Sequence, residues 1–399
     1  MQLAESLGLT PVELATGVVL GRDPNAPELP EASPATTSRE ALEEAILPAL
    51  LRGPCLVSFS GGRDSSGVLA VATALARRHG LPDPIPATTV FPAGSEADEL
   101  QWQERVVGHL GVADWVRLEF DDELDLVGPV AQRLMTRHGV FYPPNLHLHA
   151  PLIEAAPGGS LLTGVGGDET LERGSRVLAV LARHVRPTPR DLLRVGLALA
   201  PTQVRRVVKG RRGGPTFAWL KPEPTRELAE AWVNHVERFP LRWDARLREW
   251  WSSRYIQLYM RAKAVIAADS DVKVVHPLAD GGFVSTLTQE VGPRGFRNRT
   301  DAMRFLFGDV LPPDVTGRSS KASFDQVLWT RHSRAFSVRL VRDGLAAPLD
   351  GMGLADIVDP VALRTIWLDT EVPSDTFPLL QVCWVAVERG KRGALMEAR

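Results

Sequence analysis

One short segment constrains this chain more than any other: residues 59–66 read Phe-Ser-Gly-Gly-Arg-Asp-Ser-Ser. It follows the apolar run of residues 55–58 and leads into residues 67–76, whose composition is typical of a helix. Two adjacent glycines let backbone N–H groups turn toward an anion, and the start of the next helix adds free N–H groups and its positive dipole end. Strand, glycine turn and helix start in this order predict a cradle for the phosphates of a nucleotide.

Asp64 in this segment predicts a divalent cation. A carboxylate facing phosphates is repelled by them unless a metal ion lies between the two groups, so we expect Mg²⁺. The segment has no nearby lysine and does not fit the Walker pattern Gly-x4-Gly-Lys-Ser/Thr. The alternative is an ordinary serine and glycine turn, but the hydroxyls of Ser60, Ser65 and Ser66 beside the two glycines favour phosphate binding.

Composition and length are those of an ordinary folded protein. The 399 residues are 44% apolar and 24% charged, with a net charge of −2, which is typical of neither a disordered chain nor a polyanion-binding protein. This length predicts two domains, or one core with a large appendage. No apolar run is long enough to span a bilayer, and residues 1–10 lack the basic residues of a secretory signal. With only Cys55 and Cys383, we expect a cytoplasmic protein without a disulfide framework or a cysteine metal site.

Segments typical of strands and helices alternate through the first half of the chain. We predict a lead-in over residues 1–37, an α/β core over 38–172 and a mostly helical portion over 173–399 that completes the active site. The segments of the core predicted as strands are 55–58, 86–91, 115–118 and 160–164. Those predicted as helices are 38–47, 67–76 and 95–110. This alternation predicts a parallel sheet with helices on both faces, whose ligands bind at the C-terminal ends of the strands.

A second glycine-rich segment, Thr-Gly-Val-Gly-Gly-Asp-Glu at residues 163–169, follows the last predicted strand of the core. Alone it is weak evidence, because a glycine turn with an acid is common between a strand and a helix. Its position predicts that Asp168 lies at the same edge of the sheet as Asp64. Two acids that hold metal there would bind the β and γ phosphates and favour pyrophosphate as a leaving group.

These segments together resemble the synthetase domain of the asparagine synthetase family, which contains the PP-loop of ATP pyrophosphatases. The similarity covers roughly residues 38–329. The matching segments are Ser-Gly-Gly-x-Asp-Ser at 60–65, Asp-Glu at 98–99, Thr-Gly-x-Gly-Gly-Asp-Glu at 163–169, Pro-Leu-Ala-Asp at 277–280, and Leu-Pro-Pro at 311–313 with Arg318 and Lys321. The resemblance implies the α/β fold of PP-loop ATP pyrophosphatases, related to adenine nucleotide alpha hydrolases, with β-lactam synthetases and lasso-peptide cyclases among its relatives.

The resemblance also implies a reaction and a set of site residues. A substrate carboxylate would attack the α phosphorus of ATP to give an acyl-adenylate and pyrophosphate, and a nitrogen nucleophile would then displace AMP to form an amide. Lys321 would neutralise phosphate charge and stabilise the intermediate during amide formation, beside Asp168 and Arg318 as further catalytic residues. The residues implied to bind ATP are Ser58, Ser60, Gly61, Gly62, Asp64, Ser65, Val90 and Gly164. Asp64 and Asp168 would bind Mg²⁺.

The chain also departs from the family pattern. Asparagine formers carry an N-terminal glutaminase domain that begins with a cysteine after Met; here Gln2 takes that place, and about fifty residues before the PP-loop are too few for such a domain. Val165 stands where asparagine formers have Glu and β-lactam formers have Tyr, and valine neither accepts a proton nor orients an amine. Lys273 and Val275 replace a Glu and an Arg. These changes argue against glutamine as nitrogen donor and against free asparagine as product.

The remaining polar features receive structural interpretations. Residues 173–251 predict a helical appendage at the mouth of the site, and their basic stretch 204–214 predicts a solvated, mobile loop, with binding of an acidic peptide or a carrier protein as the alternative. Nucleic-acid binding is not expected, because no aromatic residues alternate with the basic ones. His147 and His149 alternate as on a strand and lack an acidic third ligand for a metal, so we interpret them as structural.

The sequence therefore predicts an AMP-forming, ATP-dependent amide ligase of specialised biosynthesis. The substrate would be a small molecule or peptide with a carboxylate, and the amine would lie on the same molecule, closing a ring, or on a separate one. Two alternatives stay open: an ammonia-dependent enzyme like asparagine synthetase, and a degenerate homologue that binds nucleotide and serves as a scaffold. A carrier or partner protein is compatible with either version, whereas membrane binding is not expected.

Overall fold

The centre of this computed structural model is a five-stranded sheet in which every strand is parallel to its neighbours, in the order β3-β2-β1-β4-β5. The structure describes residues 3–33, 35–92, 94–182, 186–211, 214–320, 322 and 324–397. The strands are β1 (Cys55–Ser58), β2 (Ile85–Val90), β3 (Val116–Glu119), β4 (Ser160–Leu162) and β5 (Lys273–Val275). This arrangement confirms the predicted α/β class.

Strands β1 and β4 read as short apolar runs because both faces of the sheet are covered there. Val57 and Leu162 face one hydrophobic core, and Leu56 and Leu161 face the other, as the alternation of side chains along a strand requires. Val57 pairs in register with Pro86 on one side and with Leu162 on the other. The register brings the loops after β1, β2 and β4 to the same edge of the sheet.

Helices precede, connect and follow the first four strands. Thr37 caps the third helix, accepting from the Glu40 amide while the Glu40 carboxylate accepts from the Thr37 amide, a capping box that fixes where this helix begins. The helices up to the second glycine segment are α1 (Leu3–Ser6), α2 (Pro11–Thr16), α3 (Ser38–Leu50), α4 (Arg63–Arg78), α5 (Leu100–Leu110), α6 (Pro129–His138), α7 (Ala150–Glu154) and α8 (Gly167–Thr170). A 3₁₀ helix, Leu146–His149, lies directly before α7.

The later part of the chain is mostly helical, as predicted, and it also contributes β5 to the sheet. Its helices are α9 (Arg176–Leu181), α10 (Pro189–Leu199), α11 (Thr202–Arg211), α12 (Pro222–Arg238), α13 (Trp243–Trp251), α14 (Arg254–Ala268), α15 (Gly281–Val291), α16 (Arg299–Phe307), α17 (Pro313–Thr316), α18 (Asp325–Leu328), α19 (Arg331–Asp343), α20 (Ala346–Asp350), α21 (Pro360–Trp367) and α22 (Phe377–Glu397), with 3₁₀ helices at Pro277–Ala279 and Ser374–Thr376. The core that Val57 and Leu162 face contains α3, α4, α15 and α16. The core that Leu56 and Leu161 face contains α6, α7, α14 and α22. Through the part of the chain that the structure describes, no helix combines the length and apolar character needed to cross a membrane.

Three local predictions were wrong. The basic stretch predicted as a mobile loop is helical as far as Arg211, because Arg205 and Lys209 both pair with Glu237 of α12. The fifth helix begins at Leu100 rather than at residue 95, since Asp98 accepts hydrogen bonds from the amides of Gly94 and Leu100 and forms a turn there. The 3₁₀ helix that holds His147 and His149 replaces the predicted strand.

Candidate active site

The loop after β1 is shaped by backbone conformation and by its own serines. Gly61 has φ +80°, in the left-handed region that favours glycine, and Gly62 precedes the first turn of α4 without any side chain capping it. The Ser65 hydroxyl accepts from the Ser60 amide at 3.3 Å and donates to the Gly62 carbonyl at 3.1 Å. The loop is therefore closed on itself, and the amides that begin α4 remain available to an anion.

Gly61 has little space around it. A Cβ at this position would lie 2.9 Å from Gln103 Cγ of α5, and the Gln103 amide donates to the Ser60 carbonyl at 3.3 Å. From the other side, Arg318 Nη1 donates to the Gly61 carbonyl at 2.8 Å. The loop conformation is thus fixed by two elements outside the strand and helix that it connects.

The loop after β4 packs directly against this first loop. A Cβ on Gly164 would lie 2.8 Å from the Ser65 amide nitrogen, and one on Gly167 would lie 2.3 Å from Asp64 Cγ. Both distances are shorter than any real Cβ contact, so only glycine allows the two loops to approach this closely. The glycines of the second segment therefore place Asp168 beside the first segment.

Arg299, at the start of α16, brings the two predicted metal-binding acids together. Its Nη2 lies 2.7 and 2.6 Å from the two carboxylate oxygens of Asp64, and its Nη1 lies 2.8 Å from Oδ1 of Asp168. One guanidinium thus bridges both carboxylates at the sheet edge. Nothing in the sequence analysis singled out Arg299, because arginine is abundant in this chain and its segment matched no motif.

The acids of the two loops lie in a strongly perturbed electrostatic environment. Burial raises the pKa of Asp64 above its usual value, while Arg299 acts in the opposite direction and Asp168 adds repulsion. Burial, with the nearby charge of Asp168, also raises the pKa of Glu169 to about 7. Carboxylates this close together repel one another, so a cation between them stabilises their ionised forms.

Arg318, predicted as catalytic, is 5% exposed and is held by several partners. It forms an ion pair with Glu99 of the predicted Asp-Glu pair, and its guanidinium lies 4.6 Å from the centre of the Trp102 ring. Together with the hydrogen bond to the Gly61 carbonyl, these contacts give Arg318 a role in positioning the loop after β1. Its catalytic role stays a prediction.

A cavity of about 510 Å³ joins the predicted residues, a size typical of small-molecule sites. Its walls include residues from all three loops at the sheet edge and from the segment before α7. The residues that argue for its chemistry are Ser58, Ser60, Gly62, Asp64, Ser65, Thr89, Phe91, His149, Thr163, Gly164, Val165, Asp168, Arg299 and Arg318. His149, interpreted from the sequence as structural, thus lines the cavity, whereas His147 is buried and contacts the carbonyls of Leu124 and Pro144.

Two predicted residues take a different place from the rest. Val90 is not among the described residues that line the cavity, although its neighbours Thr89 and Phe91 are, so a contact with adenine would involve its backbone. Gly61 contributes its conformation and its carbonyl rather than cavity surface. Lys321 lies outside the residues that the structure describes, so its predicted role stays a prediction.

The donor set fits Mg²⁺ bound together with a nucleotide. Asp64 and Asp168 supply two hard carboxylate ligands, and within the described ranges no group of three or more His, Cys, Asp or Glu residues converges as a metal site. Mg²⁺ is usually held by one or two carboxylates, with phosphate oxygens and water completing its octahedron. The guanidinium between the two acids shows that this position attracts a cation.

Comparison with known proteins agrees with this geometry. A family model described as asparagine synthase matches residues 37–377, which include both glycine segments, Arg299 and Arg318. No curated protein matches the chain significantly.

Proposed function

This chain belongs to the asparagine synthase family, which makes it an ATP-dependent amide-forming ligase in general terms, and we propose that its reaction proceeds through an acyl-adenylate. A substrate carboxylate oxygen forms a bond to the α phosphorus of ATP. The bond from that phosphorus to the bridging oxygen breaks, and pyrophosphate leaves with the electron pair. An amine then attacks the acyl carbon, and AMP leaves as the amide forms.

One observation carries this proposal: the carboxylates of Asp64 and Asp168, from separate loops, both pair with the guanidinium of Arg299. They lie in one cavity beside the start of a helix that no side chain caps. The amides at the start of α4 and the Ser60 and Ser65 hydroxyls would bind the departing pyrophosphate. Asp64 and Asp168 would hold Mg²⁺, which when bound neutralises phosphate charge and stabilises the leaving group. Arg299 would orient both carboxylates, and Lys321 would stabilise charge during amide formation.

The second half of the reaction is proposed to differ from asparagine formation. Val165 lines the cavity at the position where the resemblance implies an acidic residue in asparagine formers. An apolar side chain there favours a different acid, a different amine or both. We propose a biosynthetic ligase that either closes a ring within one small molecule or peptide or joins it to a separate amine, with a carrier or partner protein presenting the substrate where it is a peptide.

The test is product analysis with purified protein, ATP, Mg²⁺ and a panel of amino acids, carboxylates and peptides, with hydroxylamine added to trap activated acyl groups. We expect AMP and pyrophosphate, and their loss in Asp168→Ala. The matched control is Asp83→Ala, which removes a partly exposed carboxylate paired with Arg77 and should keep turnover.

Each other outcome identifies a different function. Formation of ADP would contradict the adenylate mechanism. If the wild type bound ATP tightly but turned over no substrate of the panel, this result would favour the nucleotide-binding scaffold. Turnover with aspartate and ammonium alone would favour the ammonia-dependent asparagine synthetase alternative.

A further inference from the structure

Three polar side chains, of which Lys263 is fully buried and Tyr259 and His149 are partly buried, form a chain of hydrogen bonds behind the cavity. Lys263 Nζ lies 2.8 Å from the hydroxyl of Tyr259, and this hydroxyl lies 3.1 Å from Nε2 of His149. Tyr259 and Lys263 are four residues apart on α14, so their side chains share one face of that helix. The network therefore has a fixed order, from a lysine inside the protein to a histidine at the cavity wall.

The two ends of this network have opposite environments. Lys263 is 0% exposed, and its ammonium group lies 4.7 Å from the centre of the Tyr259 ring. His149 lines the cavity, and its Nδ1 has no hydrogen-bond partner among the described residues although that atom is buried. A buried nitrogen without a partner is costly unless a ligand satisfies it. The network thus ends at a residue of the cavity wall whose Nδ1 has no partner among the described residues.

A series of contacts through Thr163 and His276 connects this network to Val165, which stands where the resemblance implies an acid–base group. The Thr163 hydroxyl, in the cavity wall, accepts from the Val165 amide at 3.4 Å and is bonded to His276 Nδ1 at 2.6 Å. The His276 ring lies 6.2 Å from the Tyr259 ring, centre to centre. A titratable group is therefore available on the same side of the cavity where position 165 no longer supplies one.

We propose that His149, Tyr259 and Lys263 form a proton relay that takes the proton released when the amine attacks the acyl-adenylate. This inference rests on the proposed function and assigns its missing base. The C–N bond forms as the C–O bond to AMP breaks, AMP leaves with the electron pair, and the proton of the amine nitrogen passes to Nδ1 of His149.

The hydrogen-bond geometry accommodates both protonation states of the relay. Before transfer, Lys263 is neutral and accepts from the Tyr259 hydroxyl, Tyr259 accepts from Nε2–H of His149, and Nδ1 carries a free lone pair. After transfer, His149 holds a proton on Nδ1, its Nε2 proton has moved to Tyr259, and the tyrosine proton has moved to Lys263. One proton enters at the cavity and the charge appears on Lys263, away from the reacting atoms.

The electrostatics of the network suit this exchange near neutral pH. Burial lowers the pKa of Lys263 to about 7, so that lysine is able to gain and lose a proton under ordinary conditions. Burial also holds the pKa of His149 well below its usual value, and the nearby titratable groups Lys263, His276 and His147 act in the same direction. His149 therefore passes the proton on rather than keeping it.

The first arm of the test needs no substrate. Nitrogen NMR of histidine-labelled protein, with His149→Gln to assign the signal, should show His149 as the Nε2–H tautomer above pH 7 and as the Nδ1–H tautomer below it. In Lys263→Met this switch should disappear, because no group remains to exchange the proton. The control is Lys209→Met, which removes a surface lysine and should leave the switch intact.

The second arm compares two acceptors after the acid panel has given an activated acyl group. Tyr259→Phe and Lys263→Met should form pyrophosphate and hydroxamate at the wild-type rate, because hydroxylamine is unprotonated at neutral pH and its adduct is acidic enough to lose its proton to water. Amide formation from an alkylamine or ammonium should fall by about a hundredfold, the usual effect of losing a general base. Tyr255→Phe, one turn earlier on the same helix, should match the wild type.

The outcomes separate the two proposals. A His149 tautomer that does not change with pH, or equal loss of rate with both acceptors, would overturn the relay while leaving the ligase function in place. A wild type that releases no AMP with any acid would overturn the ligase function and the relay with it.

Discussion

The two walls of the cavity are built in different ways. The loop wall, residues 58–65 with Asp168 and Arg299, is held by backbone conformation and by glycines that admit no side chain. The histidine wall, His149 with Thr163 and Val165, is backed by titratable side chains on α14 and by His276, which follows β5. The loop wall contains Ser60 to Ser65 and Asp168, whose segments resemble the asparagine synthetase family, and the histidine wall contains Val165, where the chain departs from that pattern.

This difference separates two chemical requirements. In the proposed mechanism, binding of pyrophosphate and metal needs fixed amides and carboxylates, and this requirement does not depend on which acid is activated. Amide formation needs a base matched to the particular amine, so its residues change with the substrate. Variants on the loop wall should therefore affect adenylation, and variants on the histidine wall should affect acyl transfer alone.

The largest expected effect comes from the loop wall. Asp64→Asn removes a proposed metal ligand and leaves the Arg299 guanidinium without its main charged partner, so adenylation should fall by about a thousandfold, at the upper end for loss of one electrostatic group. The measurement is exchange of labelled pyrophosphate into ATP with an acid from the panel. Exchange within a few-fold of the wild type would mean that Asp64 is not a metal ligand.

A second variant tests whether the approach of the two loops matters beyond the acids themselves. Gly167→Ala places a Cβ 2.3 Å from Asp64 Cγ and must displace that carboxylate, so exchange should fall by roughly a hundredfold. Gly108→Ala in α5, whose added Cβ meets nothing within 4 Å, should keep exchange and gain about 0.5–1 kcal/mol in free energy of unfolding. Equal rates of pyrophosphate exchange in the two variants would mean that glycine is not required at position 167.

The same contrast explains how much the sequence could predict. The strand, glycine turn and helix of the loop wall are local along the chain, so their pattern predicted both the fold class and the positions of Asp64 and Asp168. Behind the histidine wall, hydrogen bonds join His149 to Tyr259 and Lys263, which lie on a distant segment of the chain. These residues are neighbours because α14 packs against α7, which directly follows His149. Arg299 escaped prediction for the same reason: its two partners lie more than one hundred residues away in sequence.

A smaller effect is expected from Arg299, which lowers the pKa of Asp64 against the effect of burial. In Arg299→Met that pKa rises further, so the acid limb of the pyrophosphate exchange profile should move to higher pH. Exchange should be roughly three- to tenfold lower near pH 6 and approach the wild type near pH 8. An equal loss at every pH would instead indicate that Arg299 contacts the triphosphate directly. On the histidine wall, the tautomer of His149 should be unaffected.

The smallest effect concerns stability rather than rate, and it involves Glu169 on the second glycine loop. Burial raises its pKa to about 7 from 4.5, so between these values the folded protein holds a proton that the unfolded chain has lost. The free energy of unfolding of the wild type should therefore decrease as pH rises from about 4.5 to about 7, by roughly 1–3 kcal/mol, and then level off with respect to this group.

Glu169→Gln keeps the shape of the side chain and cannot ionise, so its stability should lack this decrease and exceed that of the wild type at pH 8. Urea unfolding at pH 5 and pH 8 measures the difference for each protein. If both proteins lost the same stability between the two pH values, Glu169 would be ionised in the folded state. Asp168 and Glu169 would then both be negatively charged in the folded protein. A cation bound at this loop would stabilise it more than a single charge would require.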